Sequence, residues 1–165
     1  MLDLTQNQIE ELEARLRELV AVTPEMQRLM TMPGIGVILA TVVVWEMGDI
    51  ARFPDAEHFA AYAGTVPRVQ ASGDKVRFGR TRPDVNRYLK WPFAEAANSV
   101  ALNHERCPDR HVSRLYLRTR QRRGHAKAIG AVARHLAEAT FHVLTRKQEY
   151  QAPNKNARSG RTRKA

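Results

Sequence analysis

The sequence has a single cysteine, Cys107, in 165 residues. One cysteine cannot form an internal disulfide or build a cysteine-based zinc site, so a reducing compartment is the simplest environment for the chain. The six histidines form no ligand-like cluster in the sequence. No paired His/Glu zinc signature, Walker loop or dinucleotide fingerprint is present either. We therefore expect no metal or cofactor to be bound by this chain alone.

The chain also lacks long hydrophobic runs. Its longest apolar stretch, Val37 to Trp45, contains a threonine and is well short of the ~18 apolar residues that a membrane span needs. The N-terminal residues carry no basic region followed by an apolar core, as a signal peptide would. These absences predict a cytoplasmic protein that makes no contact with a membrane.

Acidic residues are scarce in the second part of the chain. Residues 1–66 contain ten acidic and four basic residues, whereas residues 67–165 contain 7 acidic and 23 basic residues, and the whole chain has a formal net charge of +10. An excess of this kind favours a polyanionic partner, most simply a nucleic acid, although a basic protein of the ribosome or of a membrane surface would share it. The sequence therefore predicts that the nucleic-acid-binding surface lies in the second part.

The length corresponds to one domain, for which the spacing of apolar residues predicts a mainly α fold. Residues 1–23 form an amphipathic helix, because Leu2, Ile9 and Leu16 repeat every seven residues. Its apolar seam is short for a coiled coil, so the helix packs either on its own domain or against a second copy. Residues 24–146 form the main domain, and residues 147–165 are expected to be a disordered basic tail.

A short helix is expected to begin at Thr23 and Pro24, which form an N-cap and a first helical position, and to end near Met32. It is followed by the sequence MPGIG and by the apolar run from Val37, which we interpret as a buried helix. Two glycines between two helices are typical of a helix-hairpin-helix. Gly34 and Gly36 would then let the backbone approach a phosphate, although a merely tight turn between helices fits the same pattern.

Four further helices are expected along the chain. They run from Pro54 to Gly64, from Asp84 to Leu102 with a kink or break at Pro92, from His111 to Gly124, and from Ala126 to Leu144. His135 and His142 are seven residues apart, and one or both would complete the polar edge of the last of these helices. Between Thr65 and Pro83 the helical periodicity fails, which predicts an irregular basic loop or a short β-hairpin, and loops of this length tend to be functional.

That loop contains a serine beside a glycine, Ser72 and Gly73, among five basic residues: Arg68, Lys75, Arg77, Arg80 and Arg82. Phosphoryl transfer needs an oxygen nucleophile and positive charge near the oxygens of the transition state. The residue types in this loop supply both. A turn serine in a phosphate-binding loop is the alternative that the residues alone favour.

Several motifs in one order resemble the C-terminal half of the insertion-sequence 110/116/902 family of transposases. They are MPGIGVILATVVVWEMGDIARF, HFAAYAGTVP, ASG, FGRTRPDVNRYLKW and AKAIGAVARHLA, and they extend over roughly Arg28 to Arg146. The sequence departs from the family pattern at Val85, where a glycine is usual, and at Lys90, where an arginine is expected. Lysine cannot reproduce the bidentate grip of arginine on a phosphate.

The resemblance implies that Ser72 attacks the DNA phosphodiester and becomes covalently linked to it during transposition. It also implies an N-terminal RuvC-like nuclease half, which would hold Mg²⁺ with an acidic tetrad, and a structured bridge RNA that selects the DNA. No acidic tetrad precedes Arg28 in this sequence. The N-terminal helix fits the coiled coil that the family uses in assembly, so DNA, structured RNA and further copies of the chain are the expected partners, in the bacterial nucleoid.

In this interpretation Arg77, Arg80 and Arg82 neutralise the phosphate under attack, while Asn86 and Arg87 position the strand. Contacts with nucleic acid that read no sequence would come from the remaining predicted residues. These are Gly34, Gly36, Gly73, Lys75, Arg118, Arg122, Arg123 and Lys127. Two alternatives stay open: a non-catalytic helix-hairpin-helix DNA-binding module, such as a transposon remnant, and a structural RNA-binding protein that uses its basic tail.

Overall fold

The computed structural model describes residues 2–19, 21–67, 69–72, 75–79 and 84–153. The helices are α1 (Leu2–Leu19), α2 (Pro24–Met30), α3 (Val37–Met47), α4 (Ala56–Tyr62), α5 (Arg87–Leu102), α6 (His111–Arg123) and α7 (His125–Arg146), with a 3₁₀ turn at Ile50–Arg52. Strands β1 (Val69–Ser72) and β2 (Lys75–Phe78) pair antiparallel. The predicted mainly α class is confirmed. The segment between Thr65 and Pro83, for which the sequence predicted an irregular loop or a short β-hairpin, contains a hairpin.

Helix α7 is the centre of the packing and contacts α2, α4, α5 and α6, while α5 also packs against α3. α5 and α7 approach each other closely because the residues between them are small. Ala96 and Ala97 of α5 and Ala128 and Ala137 of α7 are fully buried. Larger side chains, Phe59, Phe93 and Leu136 among them, fill the space between the helices. α1 is helical as predicted, and its packing partner stays a prediction.

Local capping explains where the helices begin. The side chain of Thr23 accepts a hydrogen bond from the backbone of Met26 at 3.3 Å, with Pro24 in the first turn, as predicted. α5 begins at Arg87, three residues later than Asp84, because the Asn86 side chain caps it. Pro92 does not split this helix, which continues to Leu102, and its ring is buried in the core.

The tail prediction is wrong for residues 147–153. The helix ends at Lys147 in a left-handed conformation, and the chain then turns back on the domain. The backbone N–H of Tyr150 donates to Thr31 Oγ1 at 2.9 Å, and the Tyr150 hydroxyl lies 3.2 Å from His135 Nε2. Half-burying the Tyr150 ring gives a favourable free energy that offsets the conformational entropy lost when residues 147–153 become ordered. Residues 154–165 lie outside the described residues.

The segment Val37–Met47 is an α-helix, as expected, despite its many β-branched residues. Among the residues that the structure describes, no helix is long and apolar enough to cross a membrane.

Candidate functional site

Ser72 lies at the end of β1, in the last residue pair before the hairpin turns. Ser72 pairs with Lys75 across the hairpin, and Gln70 pairs with Arg77. Because opposite residues of an antiparallel pair share a face and every second residue returns to it, Ser72, Lys75 and Arg77 occupy the same face of the hairpin. Gly73, Arg80 and Arg82 lie outside the described residues, so their predicted roles stay predictions.

Asn86 holds together three elements close to the point where the loop rejoins the helices. Its Oδ1 accepts a hydrogen bond from the backbone of Leu89 at 2.9 Å, which caps α5. Its Nδ2 donates to Glu46 Oε2 of α3 at 2.9 Å and to the Tyr62 hydroxyl of α4 at 3.4 Å. Its backbone N–H donates to the carbonyl of Tyr62 at 3.0 Å. Both the oxygen and the nitrogen of the Asn86 side-chain amide are thus hydrogen-bonded within the protein.

Arg52 extends this network. Its guanidinium lies 4.6 Å from the ring centroids of both Phe53 and Tyr62, within the range of a cation–π contact. Hydrogen bonding from Asn86, reinforced by a hydrogen bond and the charge of Arg52, holds the pKa of the Tyr62 phenol below its usual range. We call Glu46, Arg52, Tyr62 and Asn86 the polar cluster.

Val85 and Lys90, which the resemblance singled out as departures, lie close to Gly64, which follows α4. Gly64 has a φ of +66°, and a Cβ added there would lie 2.8 Å from Cγ2 of Val85 and 3.3 Å from Cδ of Lys90. Val85 and the aliphatic stem of Lys90 therefore cover the glycine. A residue with no side chain at position 85 would leave this surface open, so the Val85 departure is accommodated by packing.

The two glycines of the α2–α3 turn differ in their surroundings. Gly34 has a φ of +80°, and a Cβ added there would lie 2.5 Å from the backbone oxygen of Ala96 in α5. Gly34 is therefore required for packing against α5. Gly36, at the N-cap of α3, has no atom within 4 Å of an added Cβ, and it lines an open groove of about 650 Å³ together with Arg110, His111 and Tyr150.

Helix α6 and the start of α7 carry a large excess of positive charge. Residues 110–137 contain eight basic residues and no acidic residue. Arg118, Arg122, Arg123 and Lys127 are all exposed, as a surface for phosphate contacts requires. The guanidinium of Arg120, on the same helix, lies 5.9 Å from the Tyr116 ring centroid.

Of the two histidines predicted for the polar edge of α7, His142 is exposed but His135 is not. His135 lies under Tyr150, and its ring centroid is 4.9 Å from that of His111. Burial, followed by the neighbouring His111, lowers the pKa of His135 to about 4, although Glu138 acts in the opposite direction. Of the two histidines, only His142 lies on the exposed edge, because Tyr150, in a segment that was expected to be disordered, covers His135.

Sequence reasoning missed most of the polar cluster. Asn86 was singled out, but Glu46, Arg52 and Tyr62 were not. One signal was available, since Glu46 is the only charged residue in the apolar sequence of α3. A carboxylate there needs a partner, and the partner lies forty residues away in the sequence.

Comparison with known proteins extends these observations. Residues 26–113, more than half of the chain, match the family described as Transposase IS116/IS110/IS902, and the chain belongs to this family.

Three relatives illustrate the similarity. The "Insertion element IS110 uncharacterized 43.6 kDa protein" of Streptomyces coelicolor is 32% identical over 136 residues, which are 81% of this chain and 32% of that protein. The "Transposase for insertion sequence element IS1328" of Yersinia enterocolitica is 40% identical over 68 residues, or 41% of this chain and 20% of that protein. The "Transposase for insertion sequence element IS1111A" of Coxiella burnetii is 29% identical over 140 residues, or 84% and 38%. The chain thus spans between a fifth and two fifths of these relatives.

Proposed function

We propose that this chain is the serine-bearing, nucleic-acid-binding part of a DNA transposase. The observation that carries the proposal is the position of Ser72. It lies within the family-matched segment, at the end of β1, on the same hairpin face as Lys75 and Arg77. A hydroxyl nucleophile and positive charge on one face are what an attack on a phosphodiester needs.

In the proposed reaction the Ser72 hydroxyl oxygen attacks a phosphorus atom of the DNA backbone. A bond forms between the serine oxygen and phosphorus, and the bond from phosphorus to a deoxyribose oxygen breaks. The hydroxyl proton passes to a base, and the departing oxygen takes up a proton. Attack of a DNA hydroxyl on the phosphoserine bond then rejoins the strand and restores the serine. Lys75 and Arg77, with Arg80 and Arg82, would stabilise the phosphate oxygens.

The polar cluster supports a different role for Asn86 from the one expected. Both ends of its amide are bonded within the protein, so we assign Asn86 to fixing the start of α5. Arg87, the next residue, is exposed and is free to approach the strand. This arrangement would anchor the segment between α4 and α5 that carries Ser72.

Mg²⁺ is not assigned to this chain. Within the described part, no group of three His, Cys, Asp or Glu residues is close enough together to hold a metal ion. A divalent ion used by the whole transposase would be held by a RuvC-like half, and that half would help to supply the base that activates Ser72.

The test is a covalent trapping assay. The full chain is incubated with nicked suicide-substrate DNA, with and without a RuvC-like half, candidate bridge RNA and Mg²⁺, and is scored for a protein–DNA adduct. We expect an adduct that disappears in Ser72→Ala. Ser99→Ala is the matched control, because Ser99 lies in α5 and is not part of the hairpin, and it should form the adduct normally. DNA binding should survive in both variants.

A non-catalytic DNA-binding module is the second candidate. It is favoured by the α2–α3 turn, where the open N-cap at Gly36 adjoins Arg110 in the groove. Backbone N–H groups at a helix start bind phosphate well. If binding is sensitive to salt but no adduct forms with an active guide and the RuvC-like half present, this candidate replaces the first. Deleting residues 154–165 tests the tail: a preference for structured RNA that persists without it would favour the RNA-binding alternative.

A further inference from the structure

Both tryptophans of the chain are exposed on the surface. Trp45 in α3 is 69% exposed and Trp91 in α5 is 47% exposed, and Tyr88, also in α5, is 74% exposed. Tryptophan is highly buried in most proteins, because its large ring stabilises a core. The rings of Tyr88 and Trp91 are therefore available to a ligand, and their surroundings indicate its chemistry.

Tyr88 and Trp91 are neighbours on one side of α5. Residues three apart on a helix lie next to each other on its surface, and Arg87 precedes Trp91 by four residues, which again places them side by side. Arg87 and Lys90 are both exposed. The first turns of α5 thus combine two aromatic rings and two cations at the positive end of the helix dipole.

The charges around this surface are mixed but favour an anion. Asp84 lies just before the helix and Glu95 one turn after Trp91, and both are exposed. Arg87 and Lys90 balance these two carboxylates in number, and the positive end of the helix dipole, in the turn that carries Tyr88, adds to the positive side. Trp45 provides a contrast, because the charged residues nearest to it in the sequence are Glu46 and Asp49.

The platform is also held rigidly. Asn86, directly before Arg87, is bonded to Glu46, to Tyr62 and to the backbone of Leu89. Leu89 and Pro92, which alternate with the exposed residues, are buried in the core. A site built on a fixed helix loses less conformational entropy on binding than one on a loop.

We propose that Tyr88 and Trp91 form a stacking platform for unpaired bases of a nucleic-acid strand, with Arg87 and Lys90 on its phosphates. Aromatic rings interleaved with cations are how proteins bind single strands without reading sequence, because every base has a stacking face. The inference rests on the proposed nucleic-acid function and adds to it a preference for a strand whose bases are unpaired. Such bases are exposed wherever a strand is opened for exchange.

Tryptophan fluorescence tests the proposal directly. Trp45→Phe leaves Trp91 as the single tryptophan of the chain, and Trp91→Phe leaves Trp45. The full-length variants are titrated with oligothymidylate and with a duplex of equal length. We expect oligothymidylate to quench Trp91 saturably, the duplex to quench it less, and neither to quench Trp45.

Affinity measurements with labelled oligothymidylate give a second readout. Trp91→Ala and Tyr88→Ala should each weaken binding by about fivefold or more, whereas the controls Trp45→Ala and Leu102→Ala should change it by less than about twofold. Leu102 is a suitable control because it is 83% exposed at the far end of the same helix. Tyr88→Ala keeps the test decisive if Trp91→Ala is poorly folded.

Two results would overturn the proposal. One is oligothymidylate binding that leaves Trp91 emission and the affinities of both alanine variants unchanged. The other is sedimentation showing that the surface is covered by a second copy of the chain, with Trp91 shielded in the absence of nucleic acid. Ser72→Ala should keep the quenching. A chain that stacks on bases but forms no adduct therefore contradicts only the proposed reaction, and one that forms an adduct without stacking contradicts only this inference.

Discussion

Replacing Gly34 with alanine tests whether this glycine serves the fold or a ligand. The sequence pattern treated Gly34 and Gly36 alike, with phosphate contact and a tight turn between helices both open. In the structure the two residues differ, because the backbone of α5 leaves no room for a side chain at Gly34 while the space at Gly36 is open. We expect Gly34→Ala to lower stability and Gly36→Ala to act mainly on DNA binding.

The magnitude follows from two effects. Holding an L-residue at a φ of +80° costs about 1–2 kcal/mol. An added methyl group 2.5 Å from the Ala96 oxygen must be relieved by moving the turn away from α5, and overpacking of this kind costs about 1–3 kcal/mol. The free energy of unfolding should fall by roughly 2–5 kcal/mol, which lowers Tm by about 5–15 °C in a domain of this size.

Thermal and urea unfolding followed by circular dichroism measure this change. Gly130→Ala is the matched control, because Gly130 lies inside α7 with no atom within 4 Å of an added Cβ. It should be neutral or stabilising by up to about 1 kcal/mol. Gly36→Ala should cost less than about 1 kcal/mol. If Gly34→Ala unfolds like the wild type but loses DNA binding, the packing argument is wrong and the phosphate contact belongs to Gly34.

Three further predictions concern the polar cluster, His135 and the basic helix. Glu46→Ala should lower the free energy of unfolding by about 1–2 kcal/mol, because the Asn86 amide loses the closer of its two acceptors. Glu46→Gln keeps an acceptor and should lose less, and equal urea midpoints for both variants and the wild type would contradict this. His135 has a pKa of about 4 in the folded protein, below its ordinary value of 6.5. Between these two values the unfolded chain protonates His135 and the folded protein does not, so the free energy of unfolding falls as the pH drops from 6.5 towards 4. The free energy of unfolding should fall by about 2 kcal/mol between pH 7 and pH 5 because of His135. His135→Leu should lack this loss, and parallel pH profiles of stability for the variant and the wild type would contradict the prediction. Removing Arg118, Arg122 and Arg123 together should reduce the slope of log affinity against log salt by about 2–3, while Arg134→Ala, whose guanidinium is paired with Glu138 at 2.6 Å, should leave the slope unchanged.

Local signals predicted the helices well. The Thr23–Pro24 cap, the apolar run from Val37 and the glycine after α6 act through neighbouring residues, and all three lie at the expected element boundaries. Errors appear where a distant contact decides the outcome. Residues 147–153 look like a polar tail, yet Tyr150 packs against Thr31 and His135. No periodicity within the tail encodes a contact made with residues 15 and 119 positions away.

The candidate site divides in the same way. The serine, glycine and arginines of the loop could be found from composition, because a cationic segment without helical periodicity stands out. The polar cluster could not, because Glu46, Tyr62 and Asn86 come from three separate elements. Their meeting depends on how α3, α4 and α5 pack. Each motif was weak alone, but their common order resembled a family of transposases, and the family match confirmed this resemblance.

The family match ends at residue 113, but the folded unit does not. α7, at residues 125–146, packs against α4 and α5, which lie in the matched segment, and against α2, which lies in it from Met26 on. Without α7, buried side chains such as Phe59 and Phe93 would lose part of their cover, at about 25 cal/mol for each Å² of apolar surface returned to water. The bond from Tyr150 to Thr31 then closes the end of the domain against its beginning. The smallest piece that keeps the hairpin anchored therefore runs from Thr23 to beyond Tyr150, and it includes the basic helix α6. α6 therefore belongs to the same folded unit as α4 and α5, the two helices between which the chain carries Ser72.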